Sequence, residues 1–575
     1  MKPYDENDCL STIEKNLYDF VKSGADFRED ETAIDYFGKE ISYGKFTRGI
    51  DRLIKVLLSH KELKKGDKVV ISLLTMPEAM ELIYACNYVG IVPVMVDIRL
   101  SPKEMKKIIT DVSAKMAFVT DVNAAKLSII CEAECLQKIY VVPVAESIGF
   151  PFTFFKKFSS FFTGNDYMFK RLKYKKISVW SRFVKEYNDE IPDDFVPAGA
   201  DSELILATSG STGQKKYVRQ TARAINYNVY IHEYFYDLRN PEYASVLAFM
   251  PIFILFGLVG SMHLPLFFHE KIHIHMIYDI KKIPEIIMKV KPNTFVGSIG
   301  HWERIVGADV VKNGDLSFLK YGLFSGEKCE KDRLEEINEF LKDRGASTKL
   351  WQAYGMTELA LVSTQNTVAY KPGSVGKPFP MIEVCFTTPG TDEVLPKGSE
   401  GEICIHSLCQ TLGYFNNEEE TAKLLHKHSD GKVWVHTGDY GYLDEEGFLF
   451  IKDRIKNMQV SVSGTKIYLP ALELAVSAAP EIERCAAVSV KDESRNDIKG
   501  IILFVEGRGH EGESKLKKIV KNIYTEELPI YLHPDKVVVL KSIPLTASGK
   551  TDYPALMKAA KEINIDKGFS AVTLK

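Results

Sequence analysis

The sequence predicts an α/β fold in which parallel-rich sheets are covered by helices and are distributed over more than one domain. The first observation is an alternation of apolar strands and amphipathic helices. Strands are predicted over residues 68–74 and 92–96, with a helix over 76–89 between them. The second observation is chain length, because 575 residues exceed what a single hydrophobic core supports.

The segments on either side extend this pattern. Residues 11–60 predict a helix, a β-hairpin and a second helix, with Ser11 capping the first helix and Gly38-Lys39 forming the hairpin turn. A helix over 102–112 and a strand over 116–119 repeat the α/β unit. The apolar run 204–207 predicts another short buried strand.

Composition is that of an ordinary globular protein, with 45% hydrophobic and 26% charged residues. The formal net charge of −3 argues against nucleic-acid binding. Nine cysteines are dispersed, and no histidine cluster completes a zinc pattern around the closest pair, Cys131 and Cys135. Dispersed cysteines, an acidic N-terminus without an apolar signal core and the lack of a run of about 18 apolar residues predict a cytoplasmic location.

A loop of small and polar residues follows the strand at 204–207. Its glycines let successive backbone N–H groups face one point, its hydroxyls add donors, and Lys215 and Lys216 add positive charge. This set suits a bound polyphosphate, and an ordinary polar surface turn is the alternative. The loop residues are Thr208, Ser209, Gly210, Ser211, Thr212 and Gly213.

Four later motifs follow this loop in order. They are Tyr354-Gly355-Met356-Thr357-Glu358, His436-Thr437-Gly438-Asp439, the segment 450–456 with Arg454 and Lys456, and Pro544-Leu545-Thr546-Ala547-Ser548-Gly549-Lys550. Together with the loop, these motifs resemble those of the adenylate-forming superfamily: acyl-CoA synthetases, peptide-synthetase adenylation domains and luciferases. The chain is most similar to fatty acid–CoA ligases within this group. It departs from the family pattern with Lys215 for a proline, Tyr217 for a glycine and Asp453 for the glycine before the arginine.

The resemblance implies a nucleotide site for ATP. It implies that Tyr354 stacks on adenine, Thr357 binds a phosphate oxygen, Glu358 holds Mg²⁺ and Asp439 accepts both ribose hydroxyls. It adds the phosphate loop, Lys216, Gly326, Glu327, Gly355 and Arg454 to the nucleotide-binding residues.

The resemblance also implies two domains. Residues 1–452 would bind ATP and the acyl group, and residues 453–575 would form a small mobile α+β lid that rotates about Lys456. Lys550 would enter the site from this lid as a catalytic residue together with Thr357 and Glu358, and Gly464 would line the channel for the thiol acceptor.

The predicted function is ATP-dependent activation of a carboxylic acid through acyl-AMP, followed by thioester formation with CoA. In the family, the apolar segment 244–266 supplies one wall of the acyl channel, here with Ile254, Gly257 and His263. A structural role is the alternative for His263. Peptide-synthetase domains commonly carry an aspartate in this region, and no acidic residue occurs between Ala244 and Phe268. Because a buried ammonium group without a carboxylate is costly, a plain carboxylic acid is predicted rather than an amino acid. The apolar surface of this segment then favours a medium- or long-chain fatty acid.

Three questions stay open in the sequence. The acceptor is CoA or the phosphopantetheine of an acyl carrier protein. A non-catalytic homologue that binds nucleotide or acyl-AMP is a further alternative. The aromatic and basic segment 150–176 predicts either peripheral contact with the inner face of a membrane or a helix that packs its phenylalanines on the domain.

Overall fold

The structure is a computed structural model, and the described residues are 4–24, 28–121, 127–148, 175–187, 191–208, 216–232, 244–275, 280–327, 329–366, 369–455, 458–460, 466–492, 497–509, 512–528, 532–545 and 551–563. The sequence predictions at Ser209, Gly210, Ser211, Thr212, Gly213, Lys456, Gly464 and Lys550 lie outside them. Most of the segment 150–176 lies outside them as well.

The described strands, in chain order, are β1 (Thr32–Tyr36), β2 (Lys39–Ser42), β3 (Lys68–Ser72), β4 (Val92–Met95), β5 (Met116–Thr120), β6 (Lys138–Val142), β7 (Ile177–Val179), β8 (Glu203–Thr208), β9 (Lys216–Thr221), β10 (Ser245–Ala248), β11 (Lys271–Ile274), β12 (Thr294–Gly297), β13 (Tyr321–Ser325), β14 (Leu350–Met356), β15 (Ala360–Thr364), β16 (Lys377–Pro378), β17 (Ile382–Thr387), β18 (Gly401–Ser407), β19 (Leu425–Lys427), β20 (Val433–Leu443), β21 (Leu449–Arg454), β22 (Met458–Val460), β23 (Lys466–Tyr468), β24 (Ile482–Asp492), β25 (Asp497–Gly507) and β26 (Lys536–Leu540).

The described α-helices are Glu6–Ile13, Leu17–Lys22, Tyr43–Ser59, Pro77–Val89, Pro102–Asp111, Leu127–Ile130, Trp180–Phe183, Ala222–Tyr230, Leu255–Leu258, Leu264–Phe267, Ile283–Val290, Ile299–Gly307, Asp309–Lys312, Lys331–Asp343, Glu418–Leu424, Leu469–Ser477, Glu513–Glu527 and Tyr553–Glu562. A π-helical turn covers Val259–His263, and a 3₁₀ turn covers Ile280–Lys282. Among the described helices, none is both long enough and apolar enough to cross a bilayer.

The described strands up to Arg454 form three sheets. A seven-stranded sheet has the order β7-β6-β5-β3-β4-β8-β9, and a nine-stranded sheet has the order β16-β15-β14-β13-β12-β10-β11-β1-β2. Their inner strands pair in parallel, as the alternation of strands and helices predicted. A five-stranded antiparallel sheet runs β17-β18-β20-β19, with β21 paired to β20. One buried core includes residues of all three sheets.

A smaller unit follows, built on the three-stranded sheet β24-β25-β26. Successive side chains of β25 point to opposite faces of this sheet. Leu503 and Val505 belong to one core, which includes residues of the helices Leu469–Ser477 and Glu513–Glu527. Ile502 and Phe504 belong to a second core, which includes residues of the helix Tyr553–Glu562. The predicted fold class, a large parallel-rich domain followed by a small α+β domain, is therefore confirmed.

The structure corrects the predicted cap of the first helix, and it shows a strand that crosses the predicted domain boundary. Ser11 lies inside the first helix, so its prediction as the cap is wrong: the Asp5 carboxylate accepts the free N–H groups of Asn7 and Asp8 and starts the helix earlier. Strand β21 continues through Arg454, whereas the predicted domain boundary lies between residues 452 and 453. The boundary itself stays a prediction.

Candidate active site

The site is defined first by the carboxyl edge of the nine-stranded sheet. Strands β10, β12, β13 and β14 run parallel, so their carboxyl ends meet at one edge. Ser325 pairs with Ala353, which brings Gly326 and Glu327 beside Tyr354. Gly326 and Glu327 are thus adjacent to the motif 354–358, because parallel register aligns the residues that follow each strand.

Tyr354, Asp439 and Arg454 form a polar group at this edge, in which Tyr354 and Asp439 are buried and Arg454 is exposed. The Tyr354 hydroxyl donates to Asp439 Oδ2 at 2.6 Å, and Arg454 Nε lies 2.5 Å from Asp439 Oδ1. The Asp439 side chain is 4% exposed, whereas that of Arg454 is 45% exposed. Burial, and then the charge of Asp439, raises the pKa of Tyr354. Three predicted nucleotide-binding residues are therefore brought into direct contact.

Gly355 explains the shape of the backbone beside Tyr354. The pairing of β14 with β15 shifts register between Tyr354 and Gly355. A Cβ atom on Gly355 would overlap the carbonyl oxygen of Ala360 and lie 2.9 Å from the Cα atom of Leu361. Glycine is therefore required here by a close backbone approach, which sets the direction in which the chain enters the Thr357-Glu358 turn.

Glu358 is held by residues of a distant segment. The Tyr414 hydroxyl donates to Glu358 Oε1 at 2.7 Å, and the backbone N–H of Thr411 donates to the Glu358 carbonyl at 2.8 Å. Gln220 of β9 donates its side-chain N–H to the Thr357 carbonyl at 2.8 Å. Thr357 and Glu358 are thereby placed next to β9, which follows the predicted phosphate loop in the sequence.

The base of that loop is an antiparallel pair. Thr208 at the end of β8 is the register partner of Lys216 at the start of β9. Lys216 Nζ lies 2.9 Å from Glu420 Oε2 and 4.6 Å from the centre of the Tyr414 ring. The hydrogen bond from Lys216, followed by that from Lys423, lowers the pKa of Glu420 to about 2. Lys216 is therefore ion-paired in this structure, and a phosphate contact would compete with Glu420.

The predicted acyl-channel residues lie in one short segment. Ile254 precedes the helix Leu255–Leu258 and is half-buried, and Gly257 packs its Cα against the Pro251 carbonyl so closely that no Cβ fits. His263 is fully buried: its Nδ1 lies 2.9 Å from the Tyr84 hydroxyl and its Nε2 lies 2.9 Å from Asn226 Oδ1. Burial lowers the pKa of His263 to about 3. These contacts favour the structural alternative for this histidine, and the channel role stays a prediction.

Two residues of the site were missed in the sequence. Tyr414 and Gln220 fix Glu358 and Thr357, yet neither belongs to a motif that identified the family resemblance. The available signal was weak. Tyr414 follows Gly413 three residues before Asn417, the cap of the helix Glu418–Leu424, but nothing local connects it with Glu358.

Comparisons with known proteins agree with this fold. The family described as AMP-binding enzyme matches residues 21–415, and the AMP-binding enzyme C-terminal domain matches residues 471–550. The chain therefore belongs to the AMP-binding enzyme family, within the adenylate-forming superfamily. It is an AMP-forming ligase of the acyl-CoA synthetase type.

Individual relatives cover almost the whole chain. A long-chain-fatty-acid–CoA ligase of Bacillus subtilis (strain 168) is 26% identical over 565 residues, 95% of this chain and 95% of that protein. A feruloyl-CoA synthase of Amycolatopsis sp is 27% identical over 525 residues, 90% and 94% of the two chains. ATP-bound MatB from Rhodopseudomonas palustris has a similar fold, with a TM-score of 0.77 at 19% identity over 96% of this chain and 99% of that one.

The close approach at Gly355 leads to a stability prediction. Gly355→Ala should lower the free energy of unfolding by about 1–3 kcal/mol, because the added methyl group overlaps backbone atoms of the neighbouring strand. Chemical denaturation measures this difference. Gly199→Ala is the matched control, since a Cβ there meets nothing within 4 Å, and its effect should stay within about 0.5 kcal/mol. Equal stability of the two variants would contradict the conclusion that a close backbone approach requires glycine at position 355.

Proposed function

We propose that this chain activates a carboxylic acid with ATP through an acyl-AMP intermediate and then transfers the acyl group to CoA. The observation that carries the proposal is the contact of Tyr354 and Arg454 with Asp439 at the carboxyl edge of the nine-stranded sheet, with Glu358 in the turn that follows Tyr354. Ligands of open α/β sheets bind at this edge. The residues present there offer a ring, a carboxylate and a cation for a nucleotide and a second carboxylate for a metal ion.

The nucleoside end lies at Asp439. Its Oδ2 accepts a hydrogen bond from the Tyr354 hydroxyl and its Oδ1 lies against Arg454 Nε, and a carboxylate oxygen can accept more than one hydrogen bond. Two ribose hydroxyls could therefore donate to the same carboxylate, while the buried Tyr354 ring offers an apolar face to adenine. The existing contacts hold the carboxylate in position before the nucleotide arrives, which lowers the ordering cost of binding.

The phosphate end lies between the β8–β9 hairpin and Glu358. The tip of the hairpin carries the hydroxyls and glycines of the predicted phosphate loop. Glu358 suits Mg²⁺, because Oε1 is oriented by Tyr414 and Oε2 has no hydrogen-bond partner among the residues that the structure describes. A Mg²⁺ ion bound there would supply positive charge to the phosphates. Because the adenylation step joins two anions, such charge is the main catalytic requirement.

The nucleoside assignment predicts a loss of ATP affinity in Asp439→Ala. The expected loss is about 2–3 kcal/mol, the scale of charge-assisted hydrogen bonds. Equilibrium titration with ATP measures it. Tyr354→Phe serves as the matched control, because it removes a partner of the carboxylate and keeps the ring. Its ATP affinity should fall less. Unchanged ATP affinity in Asp439→Ala would remove the ribose assignment.

Lys550 is proposed as the catalytic residue of the first half-reaction. It lies on the segment that resembles the family's lid motif, and rotation of residues 453–575 about Lys456 would bring it to the phosphates and withdraw it afterwards. Gly464 would then line the thiol channel. A single site could in this way run adenylation and thioester formation in succession.

A variant can separate the two half-reactions. Lys550→Ala should reduce acyl-AMP formation, measured as pyrophosphate release, by about 100-fold or more, because a charge at the reacting phosphate is lost. Thioester formation from synthetic acyl-AMP and CoA should stay within about two-fold of the unmodified protein if the lysine acts in the first step alone. Equal losses in both assays would show that Lys550 has a structural role. Lys558→Ala, in the helix Tyr553–Glu562, is the matched control.

The proposed acid is a medium- or long-chain fatty acid. Residues 244–266 are apolar and carry no carboxylate, and the half-buried side chains of Ile254, Phe256 and Met356 pack against the large core. One relative is named a long-chain-fatty-acid–CoA ligase, which supports this class. Others are named feruloyl-CoA synthase and 4-coumarate–CoA ligase, which support an aromatic acid as the second candidate. The carrier-protein acceptor remains as an alternative to test.

A panel of acids distinguishes these candidates. Each CH₂ group buried in an apolar pocket contributes about 0.8 kcal/mol, so kcat/KM should rise steeply from butanoate to a ceiling at octanoate or longer. Pyrophosphate release, measured for each acid with CoA or a carrier protein as acceptor, identifies both the preferred acid and the preferred acceptor. Deleting residues 150–176 should reduce activity on vesicle-presented acids more than on short acids if that segment contacts a membrane. Preference for ferulate, 4-coumarate or acetate would overturn the fatty-acid assignment and leave adenylation intact.

A further inference from the structure

A compact group of metal-ligand side chains lies in the five-stranded sheet. Strand pairing places Cys404 of β18 opposite His436 of β20, and His428 follows β19 on the other side of β20. Cys404, His428 and His436 are 0%, 5% and 7% exposed, and one ligand atom of each lies within 4.8 Å of the others. These residues are far apart in sequence, and three neighbouring strand segments bring them together.

His436 is oriented as metal-binding histidines usually are. Its Nδ1 lies 3.4 Å from Glu402 Oε2, and its Nε2 lies 2.9 Å from Nε2 of His428. A carboxylate behind an imidazole keeps the proton on the nearer nitrogen and directs the lone pair of the other nitrogen away from it. Glu402 is itself fixed, since its Oε1 accepts the backbone N–H of Gly438 at 3.1 Å.

Hydrogen bonding among the described residues does not satisfy every ring nitrogen of His428 and His436. If His428 donates from Nε2, its Nδ1 is left as a buried acceptor, and that nitrogen has no hydrogen-bond partner in the part of the chain that the structure describes. If the proton is on Nδ1, two lone pairs face each other at 2.9 Å. A cation between the facing nitrogens removes this repulsion. In a tetrahedral zinc site, the two nitrogens would lie roughly 3.3 Å apart, a shift of a few tenths of an ångström.

An exposed carboxylate adjoins His436 on the solvent side of the cluster. Asp392 Oδ1 lies 3.6 Å from His436 Nε2 and 2.6 Å from His426 Nδ1, and the Asp392 side chain is 52% exposed. The Thr387 hydroxyl lies 3.4 Å from Cys404 Sγ, where it can donate to a thiolate. The buried ligands and an exposed carboxylate together provide coordination and a path for entry from solvent.

We propose that Cys404, His428 and His436 bind a divalent transition metal of the Zn²⁺ type, with the fourth coordination position open on the side of Asp392. Thiolate and imidazole ligands select such ions over Mg²⁺, which prefers oxygen. The ion has a structural role: it joins β18, β20 and the hairpin at His428, and it steadies the strand that carries Asp439. This site is separate from the Mg²⁺ position at Glu358 and does not depend on the proposed function.

The test uses full-length, tag-free protein, freed of metal by a chelator under reducing conditions and then titrated with Zn²⁺ or Co²⁺. One ion should bind per chain, millimolar Mg²⁺ should not displace it, and Zn²⁺ should raise the melting temperature. Bound Co²⁺ should show a thiolate charge-transfer band, which requires no variant. Lack of stoichiometric binding, or a Co²⁺ spectrum without thiolate character, would overturn the proposal.

Variants then assign the ligands. His428→Gln and Cys404→Ser should weaken Zn²⁺ binding by at least 100-fold, and Glu402→Gln, which changes a residue behind the ligand, should weaken it about 10- to 100-fold. His406→Gln and Cys131→Ser are matched controls outside the cluster and should bind Zn²⁺ as the unmodified protein does. Circular dichroism identifies variants that fail to fold. Retention of full affinity in folded His428→Gln would also overturn the proposal.

Discussion

The site depends on the backbone pairing of a short segment with strand β9. Arg219 of β9 receives the N–H of Leu412 and donates its own N–H to Gly413, and the N–H of Phe415 donates to Tyr217. The same segment donates from Thr411 and Tyr414 to Glu358. Residues 411–415 therefore connect the seven-stranded sheet, the carboxyl edge of the nine-stranded sheet and the chain leaving the five-stranded sheet. Because hydrogen bonds have a narrow range of distances and angles, these contacts define where residues 411–415 lie relative to β9 and Glu358.

A buried carboxylate makes the second connection between the sheets. Asp439 lies in β20 of the five-stranded sheet and accepts a hydrogen bond from Tyr354 of the nine-stranded sheet. Removing a carboxylate from water is costly unless charged and hydrogen-bonding partners surround it. Arg454 provides the charge and keeps its guanidinium partly in solvent, which reduces the cost of burial. Arg454 ends β21 two residues before Lys456, about which the proposed rotation would turn.

Strand β20 carries both the carboxylate of the proposed nucleotide site and a histidine of the proposed metal site. Its pairing with β18 shifts register between Glu402 and Cys404, and Gly438 has a φ of +69°. The irregular backbone turns the N–H of Gly438 toward Glu402, while Asp439 points to Tyr354. An irregular strand needs added support, since part of its ladder is lost. Glu402 and the side chains around His436 provide that support from the neighbouring strand.

Sequence alone determined the strand–helix alternation, the fold class and the order of the motifs, because these follow from local periodicity and from residues close together in the chain. Tertiary structure decided which side chains meet. It paired Lys216 with Glu420, buried His263 between Tyr84 and Asn226, and placed Tyr414 against Glu358. The cysteine and histidine cluster escaped a search for local zinc spacing around Cys131 and Cys135. Its members are assembled by antiparallel register between strands, and register is set by which faces are buried across the whole sheet rather than by any short run of residues.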